Sequence, residues 1–237
     1  MVKKIIITGV TSGIGEKILE YFLEKKYCVI SISKSPLKKK INKNKIDHYR
    51  CDLTKPIQID KIIKKITKKY RSIDYLINNA GASFQGYELS NFKKNLDINL
   101  IAPFYLSSKL KKYFTKNSCI INISSVCGSK ATPNNPGYNS SKAGINMLTK
   151  SMALDFAPKI RVNSISLGYF NTKLNKKSYS NHNLRKTRAN LSMLNKWGDI
   201  DEIPKLIDFL CSKNTGFITG SNIFLDGGWH AKGMDKI

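Results

Sequence analysis

Apolar positions fall along this chain in short blocks whose period keeps changing. Ile5 to Ile7 is a continuous β-branched run, too short for a helix, and predicts a buried strand. After a Gly-rich stretch, apolar residues recur at helical spacing at Ile18, Leu19, Phe22 and Leu23. Cys28 to Ser33 predicts a second strand and His48 to Cys51 a third. Ile57 to Tyr70 predicts an amphipathic helix, and Ile73 to Ile77 the next strand. Leu89 to Lys112 reads as a long helical stretch with a break expected near Pro103. Ile120 to Ile123 is β-branched apart from Asn122 and predicts another buried strand. A Gly/Pro/Asn-rich loop follows from Gly128 to Gly137, and a helix from Tyr138 to about Phe156. Arg161 to Ser166, Ile200 to Leu210 and Asn222 to Leu225 predict a strand, a helix and a last strand. The 173–197 segment is polar with weak apolar spacing and predicts a mobile lid or substrate loop.

Strands alternating with helices predict an α/β chain: a doubly wound, mostly parallel sheet with helices on both faces, Rossmann-like. With 237 residues, 41% of them hydrophobic, the chain can bury one sizeable core. No linker, repeat or low-complexity segment divides it, so 1–237 is expected to form a single domain. No apolar run approaches the ~20 residues of a membrane span. The chain enters its first strand at once, with no leader-like segment. Five scattered cysteines without a C-x-x-C pair predict reduced thiols and a cytoplasmic location, with no zinc site. His48, His182 and His230 are isolated, and no metal is expected.

The formal net charge is +25. The lysines are spread over the whole chain, at Lys38 to Lys40, Lys61 to Lys69, Lys109 to Lys116 and Lys173 to Lys177. No nucleic-acid motif or aromatic-interleaved basic stripe accompanies them, so neither a nucleic acid nor a membrane is expected as partner. Steering of an anionic cofactor or substrate is the physical consequence of such a balance.

Candidate chemistry lies where strands end. Tyr138 and Lys142 stand four apart and share a helix face. An ammonium beside a phenol favours the phenolate and lowers its pKa. A hydroxyl from Ser124 or Ser125, at the end of the Ile120 strand, could orient a substrate oxygen. Together these are the parts of a proton-transfer site for ketone and alcohol interconversion. By helical spacing alone, Asn99 reads as a polar residue on a solvated face, although its amide can distort a helix.

A ligand site is expected at the first strand's end. Gly9, Thr11, Ser12, Gly13, Ile14 and Gly15 form a strand–turn–helix junction in which a backbone can approach a pyrophosphate. At the end of the second strand stand Ser33 and Lys34, with no acid to hold a free ribose 2′-OH. That favours NADP(H) over NAD(H).

These motifs resemble the short-chain dehydrogenase/reductase family over essentially the whole chain. The matching residues are Thr8-Gly9-(x)3-Gly13-Ile14-Gly15, Asp52-Leu53, Asn78-Asn79-Ala80-Gly81, Asn99, Ser125, Tyr138-(x)3-Lys142, Arg161-Val162-Asn163, Thr219-Gly220 and Asp226-Gly227-Gly228. The gap of 13 from Ser125 to Tyr138 is the family's and selects Ser125 over Ser124. The resemblance implies that Tyr138 is the general acid and that Lys142 lowers its pKa and holds the nicotinamide ribose. Ser125 would orient the carbonyl, and Asn99 would anchor a water relay. It further implies that Asp52 and Leu53 meet the adenine, Asn79, Ala80 and Gly81 the adenosine side, and Thr172 the nicotinamide amide or phosphates. Leu167 stands where the family usually has Pro, which predicts a looser turn there. A homotetramer or dimer is implied too, with Trp229 at a subunit contact.

Three functions remain open. The first is reduction of a 3-oxoacyl thioester on an acidic carrier protein, suited by the positive charge. The second is oxidoreduction of a sugar, sugar acid or nucleotide sugar, suited by the polar 173–197 segment. The third is a non-catalytic cofactor sensor on the same fold.

Overall fold

The computed structural model describes residues 2–37 and 46–233, the Lys173 side chain excepted. The Lys38 to Lys40 run therefore lies outside the described residues. Seven strands form one all-parallel sheet: β1 (Lys4–Thr8), β2 (Cys28–Ser33), β3 (Ile46–Arg50), β4 (Ile73–Asn78), β5 (Phe114–Ser125), β6 (Ile160–Leu167) and β7 (Asn222–Leu225). Their order is β3-β2-β1-β4-β5-β6-β7. The winding reverses between β1 and β4, and a crevice opens at the carboxyl ends there.

Two cores sandwich the sheet because alternate strand residues point to opposite faces. Ile5 and Ile7 meet α1 (Gly13–Glu24) and α8 (Glu202–Cys211) through Ile18, Phe22, Ile203 and Ile207. Ile6 and Ile120 meet α2 (Pro56–Lys69), α4 (Ala102–Leu110) and α5 (Pro136–Phe156) through Ile62, Leu106 and Met152. Phe22 is fully buried. Its truncation to Ala removes the filler between α1 and the sheet and costs about 3–5 kcal/mol.

The outline expected from the periodicity holds, with differences at four places. β3 begins two residues earlier than His48 and ends at Arg50. β5 is much longer than Ile120 to Ile123, because its polar start, Thr115 to Asn117, is invisible to a hydrophobicity pattern. The long helical stretch is interrupted not at Pro103 but by one π turn, Asp97–Ile101, between α3 (Leu89–Leu96) and α4. Pro103 follows two residues after the π turn, in the first turn of α4. The 173–197 segment contains two helices, α6 (Lys176–Ser180) and α7 (His182–Ala189). Asn181 caps α7 by accepting from the Leu184 N–H at 3.0 Å.

Candidate active site

A groove of about 1220 Å³ runs along the carboxyl ends of the strands. Gly9, Thr11, Ser12, Gly13, Ile14, Gly15, Ser33, Lys34, Asp52, Leu53, Asn79, Ala80, Gly81, Asn99, Ser125, Tyr138, Lys142 and Thr172 all line it. The residues singled out from the sequence thus come together in one place.

At one end, the turn after β1 packs against the turn after β4 at backbone distance. Gly9 has φ +72°, and a Cβ on it would lie 2.8 Å from Ala80 Cα. A Cβ on Gly15 would lie 2.1 Å from the Gly9 carbonyl oxygen. The Thr8 hydroxyl accepts from the N–H groups of Asn79 and Ala80 at 3.0 and 2.9 Å. The Asn79 amide donates to the carbonyls of Thr8 and Gly9 at 2.9 and 3.1 Å. Its side chain therefore clamps the glycine turn instead of reaching outward. The Ser12 hydroxyl leaves the N-terminus of α1 uncapped. Free N–H groups at the positive end of a 12-residue helix, facing a groove, suit a pyrophosphate. Thr172 sits against this end, 3.8 Å from where a Gly13 Cβ would lie.

Two expectations about the adenosine end change. Ser33 is buried, and its hydroxyl accepts from the Val10 N–H at 3.0 Å, so it braces the turn. Lys34 is exposed but not free: its ammonium pairs with Asp52 at 2.8 Å. That hydrogen bond holds the Asp52 carboxyl down at about 2. An acid does stand here, supplied by the segment after β3 rather than by the end of β2.

The reaction end is built by β5, the π turn and α5. Pro136 opens α5 at a position that needs no N–H donor. Tyr138 and Lys142 lie on its sheet-facing side. Asn122 and Asn78 hold α5 and α4 from beneath. Asn78 donates to Asn122 at 2.8 Å and to Ser107 at 3.1 Å, and Asn122 donates to Thr149 at 2.9 Å. The pairing of these two amides escaped the sequence, in which Asn78 stands out only as part of the Asn78-Asn79-Ala80-Gly81 motif and Asn122 only as the interruption of an apolar strand.

Asn99 is buried, against the expectation of a solvated face. The π turn rotates it inward. Its amide donates to Ala82 O at 2.8 Å and to the Ser141 hydroxyl at 3.1 Å, and its oxygen accepts from the Ala82 N–H at 3.0 Å. A Cβ on Gly81 would lie 2.8 Å from Asn99 Oδ1 and 3.8 Å from Lys142 Nζ, so the two side chains flank one backbone position.

Both serines line the groove, but the Ser124 hydroxyl turns to Lys142 O at 3.3 Å, whereas Ser125 hydrogen-bonds the Tyr138 phenol. Lys142 donates to Ile123 O at 2.8 Å, and its ammonium lies 5.6 Å from the Tyr138 ring centroid. Burial drives the Lys142 ammonium down to about 8. Burial also pushes the Tyr138 phenol up, with Cys127 adding to this and the Ser125 hydrogen bond opposing it. An adjacent ammonium was expected to lower it. Desolvation wins because Lys142 stands over the ring and is bonded elsewhere. At neutral pH, Tyr138 therefore keeps its proton.

Leu167 does not loosen the turn after β6. It pairs in register with both Ser125 and Leu225, and the next N–H, of Gly168, donates to Leu225 O at 3.0 Å. Trp229 stacks on Tyr169 at 5.2 Å within the chain. Tyr169 and Arg188, which also line the groove, drew no attention in the sequence because an aromatic and a cation in a polar stretch carry no periodic signal. Among the described residues, no group of three metal-ligating side chains converges, and no helix is long and apolar enough to cross a membrane.

Comparison with known proteins agrees with this geometry. A family model described as Enoyl-(Acyl carrier protein) reductase matches residues 9–230. The 3-oxoacyl-[acyl-carrier-protein] reductase FabG of Thermotoga maritima is 32% identical, over 95% of this chain and 97% of that protein. Two solved structures match closely. 4-Hydroxyisoleucine dehydrogenase complexed with NADH and succinate has a TM-score of 0.86 at 34% identity, covering 96% of this chain and 100% of that one. ElxO with NADP bound has a TM-score of 0.88 at 30% identity, covering 98% and 100%. Matches of this extent, on a chain whose groove gathers the glycine turn, Asn99, Ser125, Tyr138 and Lys142, establish that it belongs to the short-chain dehydrogenase/reductase family, as an NAD(P)-dependent oxidoreductase acting on CH–OH groups.

Proposed function

We propose that this protein reduces a ketone to a secondary alcohol with NADP(H), using Tyr138 as general acid. The observation that carries this reading is the half-buried Tyr138 phenol, kept protonated beside Ser125 and Lys142 at the end of the groove. The turn from Gly9 to Gly15 and the N-terminus of α1 would hold the pyrophosphate. Lys34, Asp52 and Leu53 would face the adenosine half, and Asn79, Ala80 and Gly81 would present backbone beside it. Thr172, Tyr138 and Lys142 would face the nicotinamide half. When bound, the nicotinamide supplies the hydride. Ser125 donates a hydrogen bond to the carbonyl oxygen and orients it. Tyr138 gives its proton to that oxygen as negative charge develops there. Lys142, largely charged at pH 7, stabilises the tyrosinate left behind. Asn99 anchors a water path for the returning proton.

NADP(H) is preferred over NAD(H) on this reading because Lys34 marks the ribose end, although the relatives above are described with one or the other. The best substrate reading is a 3-oxoacyl thioester on a carrier protein, supported by the Thermotoga relative and by the +25 charge facing an acidic partner. The polar lining by Ser83, Gln85, Asn91 and Asn135 favours a second reading, a small sugar acid or hydroxy acid. The relative described with succinate points the same way. The 173–197 segment is the substrate lid. Phe104, Met147 and Leu154, exposed on α4 and α5, suit assembly with further copies of the chain in a cytoplasmic homo-oligomer.

The test is NADPH oxidation with acetoacetyl thioesters, ketogluconates and nucleotide ketosugars. Turnover of one class names the substrate. Tight NADPH binding with turnover of none would support the cofactor-sensing alternative instead.

A further inference from the structure

Arg188 lines the groove and has no task in the ketone-reduction mechanism. Arg188 stands in the last turn of α7, where a helix's negative end accounts for a cation. It does not account for where the side chain goes. The guanidinium is half-buried and lies 4.6 Å over the Tyr169 ring. Tyr169 lines the same groove as Tyr138, Ser125 and Lys142. Trp229 stacks on it at 5.2 Å and Trp197 lies at 5.3 Å, fixing the platform. Behind this platform lies a smaller cavity of about 440 Å³, and Arg188 lines both spaces.

Two acids, Glu202 and Asp226, line the smaller cavity together with Arg188. Among the described residues, neither they nor any other carboxylate forms an ion pair with it. Asp52 is the sole acid lining the groove, and it pairs with Lys34 at the opposite end. Asp226, in the smaller cavity, accepts from the N–H groups of Gly228 and His230 at 2.9 and 2.6 Å. Arg185, one turn earlier, lies over Tyr179 instead. A half-buried guanidinium held over an aromatic ring, with no acid in an ion pair with it, is a fork preset for an oxyanion.

We propose that Arg188 receives an anionic group of the substrate, so that the enzyme selects ketones bearing a carboxylate or phosphate over neutral ones. This rests on the ketone-reduction reading above. The shared chemistry has two sources: the carboxylate of a small oxo acid, or the phosphate on the arm of a carrier-bound thioester.

Two substrate pairs separate these sources: acetoacetate against methyl acetoacetate, and acetoacetyl-phosphopantetheine against acetoacetyl-N-acetylcysteamine. For wild type, Arg188→Met and Arg188→Lys, kcat/KM is measured with NADPH. Arg188→Met is expected to lower the charged-to-neutral ratio of one pair about tenfold to a hundredfold, chiefly through KM. Arg188→Lys restores part of it. The pair that responds names the source. Both ratios staying within about twofold of wild type overturn the proposal, as does an equal loss on charged and neutral members, which marks a purely structural arginine. A second measurement does not need turnover: calorimetric titration of succinate and of phosphopantetheine onto the NADPH complex. Binding of either that weakens about tenfold or more in Arg188→Met supports the site. Binding of neither to wild type, or equal binding to both proteins, overturns it. Failure to reduce any ketone, with the Arg188-dependent binding intact, overturns only the ketone-reduction reading.

Discussion

At the cofactor end of the groove, Gly9, Gly15, Asn79 and Ala80 interlock at backbone distance, and hydrogen bonds from Thr8 and Asn79 tie two strand ends together. At the substrate end, α6 and α7 lie mostly exposed and are held by rings. Tyr169 stacks on Trp229, Tyr179 meets Trp197 edge-on, and the Trp197 indole donates to Arg185 O at 2.9 Å. Backbone packing leaves no room for new side chains, so it fixes one ligand class. A surface of stacked side chains can exchange members without disturbing the sheet. One end is therefore expected to be intolerant of any change, and the other tolerant in fold but sensitive in selectivity. Tyr138 stands at their junction.

The largest effect is expected at that junction. Tyr138→Phe keeps the ring that fills the groove and removes only the proton donor. Turnover should fall ~10²–10⁴-fold while NADPH still binds. Steady-state kinetics beside fluorescence titration of NADPH checks this, and a near-normal kcat would exclude Tyr138 as the acid. The contrast between the two ends is tested next. Gly15→Ala brings a methyl against the Gly9 carbonyl, and overpacking of this kind costs ~1–3 kcal/mol. That corresponds to roughly ten- to a hundredfold weaker NADPH binding or an equivalent loss of stability. Leu184→Ser, on exposed α7, should alter neither by more than about twofold. Equal effects from both substitutions would dissolve the distinction.

The cofactor end was legible because its constraints act on the backbone. Glycines at fixed spacing after an apolar strand have few other reasons to be there, and the structure gathers all of them. Tyr138 and Lys142 were legible through the i, i+4 geometry of α5. Side-chain direction was less so. Asn99 reads as solvated on an ideal helix and is buried because a π turn adds a residue to the winding. Lys34 was read as a free cation because its partner, Asp52, follows a different strand. Arg188 and Tyr169 were missed because stacking between distant segments leaves no period. The sign of the Tyr138 shift was missed for a related reason. Proximity of an ammonium shows in the spacing, but desolvation shows only once α5 is packed on the sheet.

Lys142 sharpens the comparison from the side of stability. Its ammonium is buried, and its folded pKa of about 8 lies below its ordinary value of 10.5. Between those values the unfolded chain holds the proton that the folded chain has lost, so stability rises with pH from about 8 to 10.5. Below about 8 both states are charged and the full penalty of burial remains. Lys142→Met removes that charge. We expect the variant to be inactive yet more stable at pH 7, by about 1–3 kcal/mol, and to lose the alkaline rise. Thermal unfolding from pH 7 to 10.5 checks both, and a destabilised variant that keeps the rise would refute the assignment.

The smallest effect is expected at the adenosine end, where one exposed side chain decides between cofactors. Two anions compete for the Lys34 ammonium: the Asp52 carboxylate, already 2.8 Å away, and the 2′-phosphate of NADP(H). Because Lys34 is 78% exposed, its attraction is heavily screened. Lys34→Ala should therefore weaken NADPH by no more than about tenfold, ~1.4 kcal/mol, and leave NADH nearly unchanged. The effect should shrink with added salt. Asp52→Asn frees the ammonium and removes a repelling charge, so the preference for NADPH should rise a few-fold. Ser33→Asp is not a clean test, because Ser33 is buried and braces the Val10 N–H. The measurement is Kd for both cofactors, in wild type and both variants, at low and high ionic strength. Equal weakening of NADPH and NADH by Lys34→Ala, or equal wild-type affinities, would make Lys34 an ordinary surface lysine and Asp52 the residue that sets the cofactor.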